Sequence, residues 1–463
     1  MKDFDGILGD IGLFSGQASI ITMSHARSEL KSLLKLAIPV ILTELGWMLM
    51  GVTDTIMVGR LGPEAVGAVA IGNIVFHTVG LIAYGLLVGL DTLISQAYGA
   101  GDISDANHSL RQGLWLALFC SPPLLIAMWL LVPTLELWGL ARSVLDLAQP
   151  FTYILALSVF PISFYTAQRR YLQSMHIVRP VTVALLTANL VNFALNWLLI
   201  YGHLGFPKLG VEGSAWATVG ARIYLALFLL IVLIQKESKA PTGLLHWEGP
   251  DRERLHRLLM LGLPAAGHIF LEIAVFGAAT AIAGRFPPVA LAAHEITLNH
   301  AALAYMVPLG ISSAAAVRVG NAIGARMPEQ ARLAGNVALG LGSGFMLVSG
   351  IVIFLIPRTV LHIYTLDANI VEYALPLIFW AAAFQLFDGI QVVATGALRG
   401  LGDTKAPFIA GLAGYWLLAL PFGTWLCFSK GFAVQGLWIG LSLGLAVVAL
   451  ILLHRWLRRS LVW

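Results

Sequence analysis

Apolar residues fill this chain in runs of about twenty or more, and short polar stretches separate them. Twelve runs stand out, near 33–58, 68–97, 112–133, 147–173, 180–201, 214–235, 258–283, 289–322, 336–356, 372–397, 407–428 and 432–456. Each is long enough to cross a bilayer as a helix. Inside lipid the backbone has no water to bond, so each run must pair its own N–H and C=O groups by coiling. The alternating segments of about ten residues that a membrane barrel needs are missing. The pattern predicts an all-α integral membrane protein with twelve transmembrane helices, numbered 1–12 in chain order.

The pattern also repeats. Leu36, Pro39, Thr55, Gly59, Arg60, Pro63, Ala65, Ala68 and Ile71 recur, at one constant offset, as Leu261, Pro264, Thr280, Gly284, Arg285, Pro288, Ala290, Ala293 and Ile296. Gly85, Ala97, Gly99, Ala100 and Ala106 recur as Gly310, Ala322, Gly324, Ala325 and Ala331. With slight drift, Pro180 then pairs with Pro407, and Val211 and Gly213 with Val434 and Gly436. The chain is two copies of a six-helix unit. Six is even, so both copies insert the same way, as a parallel repeat about an axis along the membrane normal. Two pseudo-symmetric six-helix lobes point to a membrane transporter with its site where the lobes meet. Helix 1 is expected opposite helix 7, and helix 2 opposite helix 8, across a central cleft.

Composition agrees with this reading. With 58% hydrophobic and 11% charged residues and a mean hydropathy of +0.84, the chain cannot cover a soluble globule with polar surface. Lysine and arginine concentrate at the ends and in the even-numbered loops; the odd-numbered loops hold Arg60, Arg142, Lys208, Arg285, Arg358 and Lys430. That bias places both termini in the cytoplasm. It also accounts for most of the net charge of +4. No compact basic patch with interleaved aromatics suggests nucleic acid. Cys120 and Cys427 lie in apolar runs and suggest neither a disulfide framework nor a metal site. Arg222, in helix 6, is the one basic residue placed well inside a helix.

The expected division is a cytoplasmic tail over 1–32, a first lobe over 33–235, a cytoplasmic linker over 236–257, a second lobe over 258–456 and a tail over 457–463. The linker holds Pro241, Gly243, Gly249 and Pro250 among many charges, which suits a hinge about which the lobes rock. The first 23 residues hold Asp3, Asp5 and Asp10 and lack a signal-peptide pattern. They read either as a loose tail or as sequence before a start at Met23, the preferred reading.

An ionisable group in a membrane helix needs a reason, since an Asp at a helix centre costs about 2.5–3.5 kcal/mol. The candidates are Glu44, Asp54, Asp91, Glu272, Glu295 and Asp388. At the repeat offset Asp54 meets Ala279, Glu272 meets Trp47, and Asp388 falls opposite Ile162–Ser163. These three carboxylates break the internal symmetry, so they suit a function placed unequally on the lobes. Asp54 has Trp47 two turns before it; Glu272 has His268 and Phe276 one turn either side; Asp388 has Phe384 one turn before and Gln391 close by. A carboxylate flanked by aromatics attracts a flat organic cation, or binds Na+ or H+. Asn192 and Asn196 share a face of helix 5, beside Asn189, and can bond to Asp54, supply an ion with carbonyl oxygen, or join helices. Glu44 and Asp91 read as local caps or water-facing groups near helix ends, and Glu295 reads either as a functional charge or as a structural one with His294 as its partner.

Five segments carry a family resemblance: Asp-Thr-Ile-Met-Val-Gly (54–59), Ser-Gln-Ala-Tyr-Gly-Ala-Gly (95–101), Leu-Asn-Trp-Leu-Leu-Ile-Tyr-Gly (195–202), Ala-Ala-His-Glu-Ile (292–296) and Gly-Ala-Leu-Arg-Gly-Leu-Gly-Asp-Thr (396–404). In this order and spacing, across about 30–455, the chain resembles the multidrug and toxic compound extrusion (MATE) family, and within it the NorM-type branch. That branch has acidic residues in helices 7 and 10, which Glu272 and Asp388 match; Asp54 matches its helix 1 aspartate. The DinF-type branch lacks the helix 7 and 10 pair. Glu295 departs from the branch, which commonly has Gln after the His. The resemblance implies a multidrug efflux antiporter that exports organic, mainly cationic compounds in exchange for Na+ or H+. It also implies no cofactor, a lipid environment and a monomer. Two other classes stay open. A lipid-linked precursor flippase of a related two-lobed superfamily would want a basic cavity. A membrane-embedded enzyme would want a motif such as His-Glu-x-x-His or Gly-x-Ser-x-Gly, and neither occurs.

Overall fold

Proline and glycine punctuate the helices. Pro63, Pro180, Pro288 and Pro328 sit in first turns, where a missing N–H costs nothing. Gly202, at φ 75°, ends helix 5 in the left-handed conformation that glycine adopts freely. The computed structural model describes residues 16–246 and 248–461, and among these there is no strand.

Helix 1 is Gly16–Gly59; helix 2 is Pro63–Leu87, continued by Gly89–Gly99; helix 3 is Ile103–Leu131. Helix 4 is Arg142–Ala156 plus Val159–Ser174, helix 5 Arg179–Tyr201 and helix 6 Val211–Lys239. Helix 7 is Arg252–Ala283, helix 8 Pro288–Gly324, helix 9 Pro328–Leu355 and helix 10 Ala368–Gly400. Helix 11 runs from Lys405 to Ser429 with a π-helical stretch over Leu412–Ala419, and helix 12 is Ala433–Leu461. Eleven are apolar and long enough to cross a membrane alone, and helix 4 makes twelve as a pair bent by 43°. Pro161 explains the bend: its ring clashes with the Leu157 carbonyl four residues back, where the helix breaks.

Helix 1 begins well before the expected position 33, so 16–32 is helical rather than loose tail. Residues 1–15, with Asp3, Asp5 and Asp10, lie outside the described residues, and with them the choice between Met1 and Met23 as start. Helix 12 likewise runs through most of the expected tail.

Each lobe has its own core, but helices 1 and 7 exchange ends. Leu33, Leu36, Ala37 and Val40 of helix 1 are buried in the core of the second lobe. Leu258 of helix 7 is buried in the core of the first. Helix 1 packs on helix 8, and helix 2 on helices 7 and 8. Small residues make this contact close. A side chain on Gly85 would overlap Ala266, one on Gly99 would overlap Asn321, and one on Gly324 would overlap the Gln96 carbonyl. Further along helices 1 and 7, nothing described stands within 4 Å of where Gly51 or Gly277 would carry a Cβ. The lobes are closed at the end that carries the termini and linker, and splay at the other.

The linker is not free. It is docked on helix 3 of the first lobe. Asn107 donates to the Thr242 carbonyl at 3.0 Å, Arg111 to the Gly243 carbonyl at 2.8 Å and Gln112 to the Gly249 carbonyl at 2.9 Å. His108 stands between Glu248 (2.7 Å) and Asp251 (3.0 Å). The His108 ring holds the Glu248 carboxyl below its usual range, and Arg111 adds to the effect. The polar, Pro- and Gly-rich composition read as a hinge instead serves side-chain and carbonyl contacts to helix 3. The linker follows the first lobe.

Candidate functional site

Two polar centres lie within the helices, one per lobe. In the first, Asp54 on helix 1 is buried. Its Oδ1 accepts from Asn192 at 3.0 Å and Asn196 at 2.6 Å, and its Oδ2 from Thr218 at 3.1 Å. Asn196 also donates to Asn192 Oδ1 at 3.2 Å. Three donors on one carboxylate offset much of the cost of burying its charge. Arg222, one turn after Thr218, is within electrostatic reach of Asp54; it donates to Ser158 Oγ at 2.5 Å and lies over the Phe76 ring at 4.1 Å. Asn189 faces elsewhere, donating to the Gly46 carbonyl at 3.1 Å. Thr218 is absent from the sequence reading. Ser214, Thr218 and Arg222, four residues apart along an apolar helix, are the stripe that marks it.

In the second centre, Glu272 on helix 7 and Asp388 on helix 10 stand within electrostatic reach of one another. Among the described residues no side chain makes a hydrogen bond or ion pair with either. Tyr305 of helix 8 and Tyr415 of helix 11 are within reach of both carboxylates. Tyr415 is buried, and its hydroxyl has no hydrogen-bond partner among the described residues. The π-helical stretch over 412–419 contains Tyr415, and its place in the repeat corresponds to helix 5, which is an ordinary α-helix. Such stretches are frequent at functional sites. Gln391 is fully buried, with Nε2 3.2 Å from His268 Nε2.

The flanking aromatics are placed less openly than expected. Phe276 and Phe384 meet edge to face at 6.0 Å, and Phe384 packs on Trp438 at 5.9 Å, so Phe384 belongs to the core beside the acids. Trp47 packs edge-on against Tyr165 at 5.8 Å. His294 is held by Trp438 (3.2 Å) and Thr280 (3.1 Å), so both its ring nitrogens are taken and the expected pairing with Glu295 is not made.

Glu44 and Asp91 are not local caps. Glu44 pairs with Arg169 of helix 4. Asp91, 2% exposed, bridges Arg170 of helix 4 at 2.9 Å and Arg399 of helix 10 at 3.3 Å, and so ties one lobe to the other. Arg222 is therefore joined by Arg169, Arg170 and Arg399 as basic residues inside the protein. Reading one helix at a time hides partners that come from others. Arg169, Arg170 and Arg399 are matched by Glu44 and Asp91 at the closed end, and Arg222 stands apart from them beside Ser158.

Two lobes of membrane-length helices in parallel repeat, holding in Glu272 and Asp388 two neighbouring carboxylates that no described side chain pairs, define a membrane transporter. The chain belongs to the MatE family, whose model matches residues 39–198 and 264–425, one match per lobe. It is 36% identical over 442 residues to a probable multidrug resistance protein NorM of Mesorhizobium japonicum, covering 94% of this chain and 95% of that protein. It is 34% identical to the multidrug resistance protein PmpM of Pseudomonas aeruginosa, covering 94% and 92%. Among solved structures it is similar to a multidrug resistance MATE transporter of the MOP superfamily in an outward-facing conformation (TM-score 0.83, 23% identity, 94% of this chain and 96% of that one). A MATE protein in a bent conformation matches with TM-score 0.86 at 22% identity, over 95% and 98%.

Proposed function

We propose that the protein exports organic, mainly cationic compounds in exchange for Na+ or H+ by alternating access of its two lobes. The observation that carries this reading is the Glu272–Asp388 pair. Two carboxylates near one another repel, and neither has a basic partner, so the pair favours a bound cation or proton. The relatives named as multidrug resistance proteins support the cargo class. Asp54, with Asn192, Asn196 and Thr218, is a second cation centre. Trp47 and Phe276 offer aromatic surface to the cargo, Phe384 shapes the acid pair from behind, and Gln391 lies beside it. With both termini in the cytoplasm of a bacterial inner membrane, the closed end faces inward and the structure is outward-facing. The working unit is a monomer in lipid without cofactor.

Coupling follows from linkage. A cation at Glu272 and Asp388 favours one arrangement of the lobes and the cargo favours the other, so competition for the carboxylates exchanges one for the other. The test is drug efflux from everted vesicles under separately imposed Na+ and H+ gradients. Glu272→Gln and Asp388→Asn keep the shape and remove the charge; each should abolish coupled efflux while expression and insertion stay normal. Full efflux in either variant refutes the assignment.

A further inference from the structure

Gln391 follows Asp388 by three residues on helix 10, and His268 precedes Glu272 by four on helix 7, so each is the helical neighbour of one unpaired carboxylate. Helices 7 and 10 run in opposite senses as an odd and an even span. Both neighbours therefore lie one turn nearer the closed end, and there they meet, Nε2 to Nε2, at 3.2 Å. An amide nitrogen only donates, so this imidazole nitrogen accepts, and the ring carries its proton on Nδ1. Nδ1 has no hydrogen-bond partner among the described residues. Helix 11 lies beside it, since a Cβ on Gly411 would stand 3.0 Å from Nδ1. With its nitrogen given to His268, Gln391 is left with Oε1 buried and without a hydrogen-bond partner. A buried oxygen in that position calls for a donor or a cation.

We propose that Gln391 Oε1 is a further acceptor for the coupling cation at Glu272 and Asp388, as a ligand to Na+ or as acceptor from a protonated carboxyl. His268 is the positioning residue that keeps the oxygen, and not the NH2 group, turned toward the carboxylates. The proposal rests on the cation reading above. If His268 offered a donor instead, the amide would turn over and present two N–H groups to the site, which repel a cation.

The experiment uses the full chain in proteoliposomes. Drug efflux is titrated with Na+ at fixed pH, and with pH in the absence of Na+; the cation that drives the native protein is then followed in the variants. Gln391→Leu should raise the half-saturating cation concentration about tenfold, as expected for a lost hydrogen bond to a charged group, with the shift in half-saturation rather than maximal rate. His268→Leu should raise it in the same direction and add nothing in the Gln391→Leu background. His268→Gln, whose side-chain oxygen accepts from the Gln391 amide, should restore it relative to His268→Leu. Gln391→Met replaces Gln391→Leu if the latter does not elute as a folded protein. An unchanged half-saturation in the Gln391 variant overturns the acceptor role. Equal shifts in His268→Gln and His268→Leu, or additive effects with Gln391→Leu, overturn the positioning role. Glu272→Gln, run alongside, separates the two levels. Persisting cation dependence in that variant sinks the cation site itself, while its loss beside a native-like Gln391 variant sinks this inference alone.

Discussion

Asp54 shows how one residue can be charged and buried at once. Its two oxygens take three donors from helices 5 and 6, so the carboxylate is held without a direct ion pair. Glu272 and Asp388 have no such support. The two centres therefore differ in what a lost charge removes. Asp54→Asn leaves the amides and hydroxyl of its neighbours facing an amide, and the second lobe untouched. Its defect should depend on substrate and pH, measured as efflux of several drugs across a pH series. Losses that match those of Glu272→Gln for every drug at every pH would instead show one joint site. Asp91 is a third case. It sits between two arginines from different lobes, and a buried pair that loses one partner costs about 3–5 kcal/mol. That makes it a fastener of the closed end.

At the scale of elements, the closed end depends on glycine at positions where helices cross. Thr92 Oγ1 donates to the Arg399 carbonyl at 2.6 Å, and Gln96 Nε2 to the Gly400 carbonyl at 2.9 Å; both bonds run between lobes. Gly324 of helix 8 lies directly on the Gln96 carbonyl of helix 2, with no space for a methyl group. Backbone cannot yield as a side-chain tip can. Gly324→Ala should therefore hold the lobes apart at this end and shift the population toward the state open there. Thiol labelling of a cysteine placed at Ser95, buried in that seam, should become faster in the variant. Labelling as slow as in the glycine parent would show that the seam absorbs the methyl.

For the whole molecule, the splayed end predicts motion. Arg60 and Arg285 are equivalent in the repeat, both exposed, each just after the first helix of its lobe. With Cys120 and Cys427 removed, cysteines at these two positions report the open mouth. Bridging them with a thiol crosslinker should stop transport, and saturating drug or cation should change the bridging rate. Transport that survives the bridge, at rates indifferent to both ligands, contradicts lobe motion. Since the linker is bonded along its length to helix 3, the bending falls to helices 1 and 7. Each carries an internal proline at the same repeat position, Pro39 and Pro264, and each begins in the opposite lobe's core.

The sequence by itself determined the membrane class, the twelve spans, the duplication and the family. It also determined the carboxylates that break the symmetry, because chain length in lipid, periodic identity and lone charges are properties of order along the chain. A bond to Asp54 was one of three readings it left open for Asn192 and Asn196, and both amides make it. Tertiary structure alone decided what each charge meets. Glu44 and Asp91 looked local until Arg169, Arg170 and Arg399 arrived from other helices. Phe384 looked open until Trp438 covered it. The linker looked loose because its own residues are polar, yet its partners lie on helix 3, more than a hundred residues earlier. Tyr415 owes its place to a π-helical stretch whose extra residue per turn leaves no trace in apolar periodicity. Electrostatic and hydrogen-bond energies depend on distance between groups from separate helices, and that distance exists only once the helices have packed.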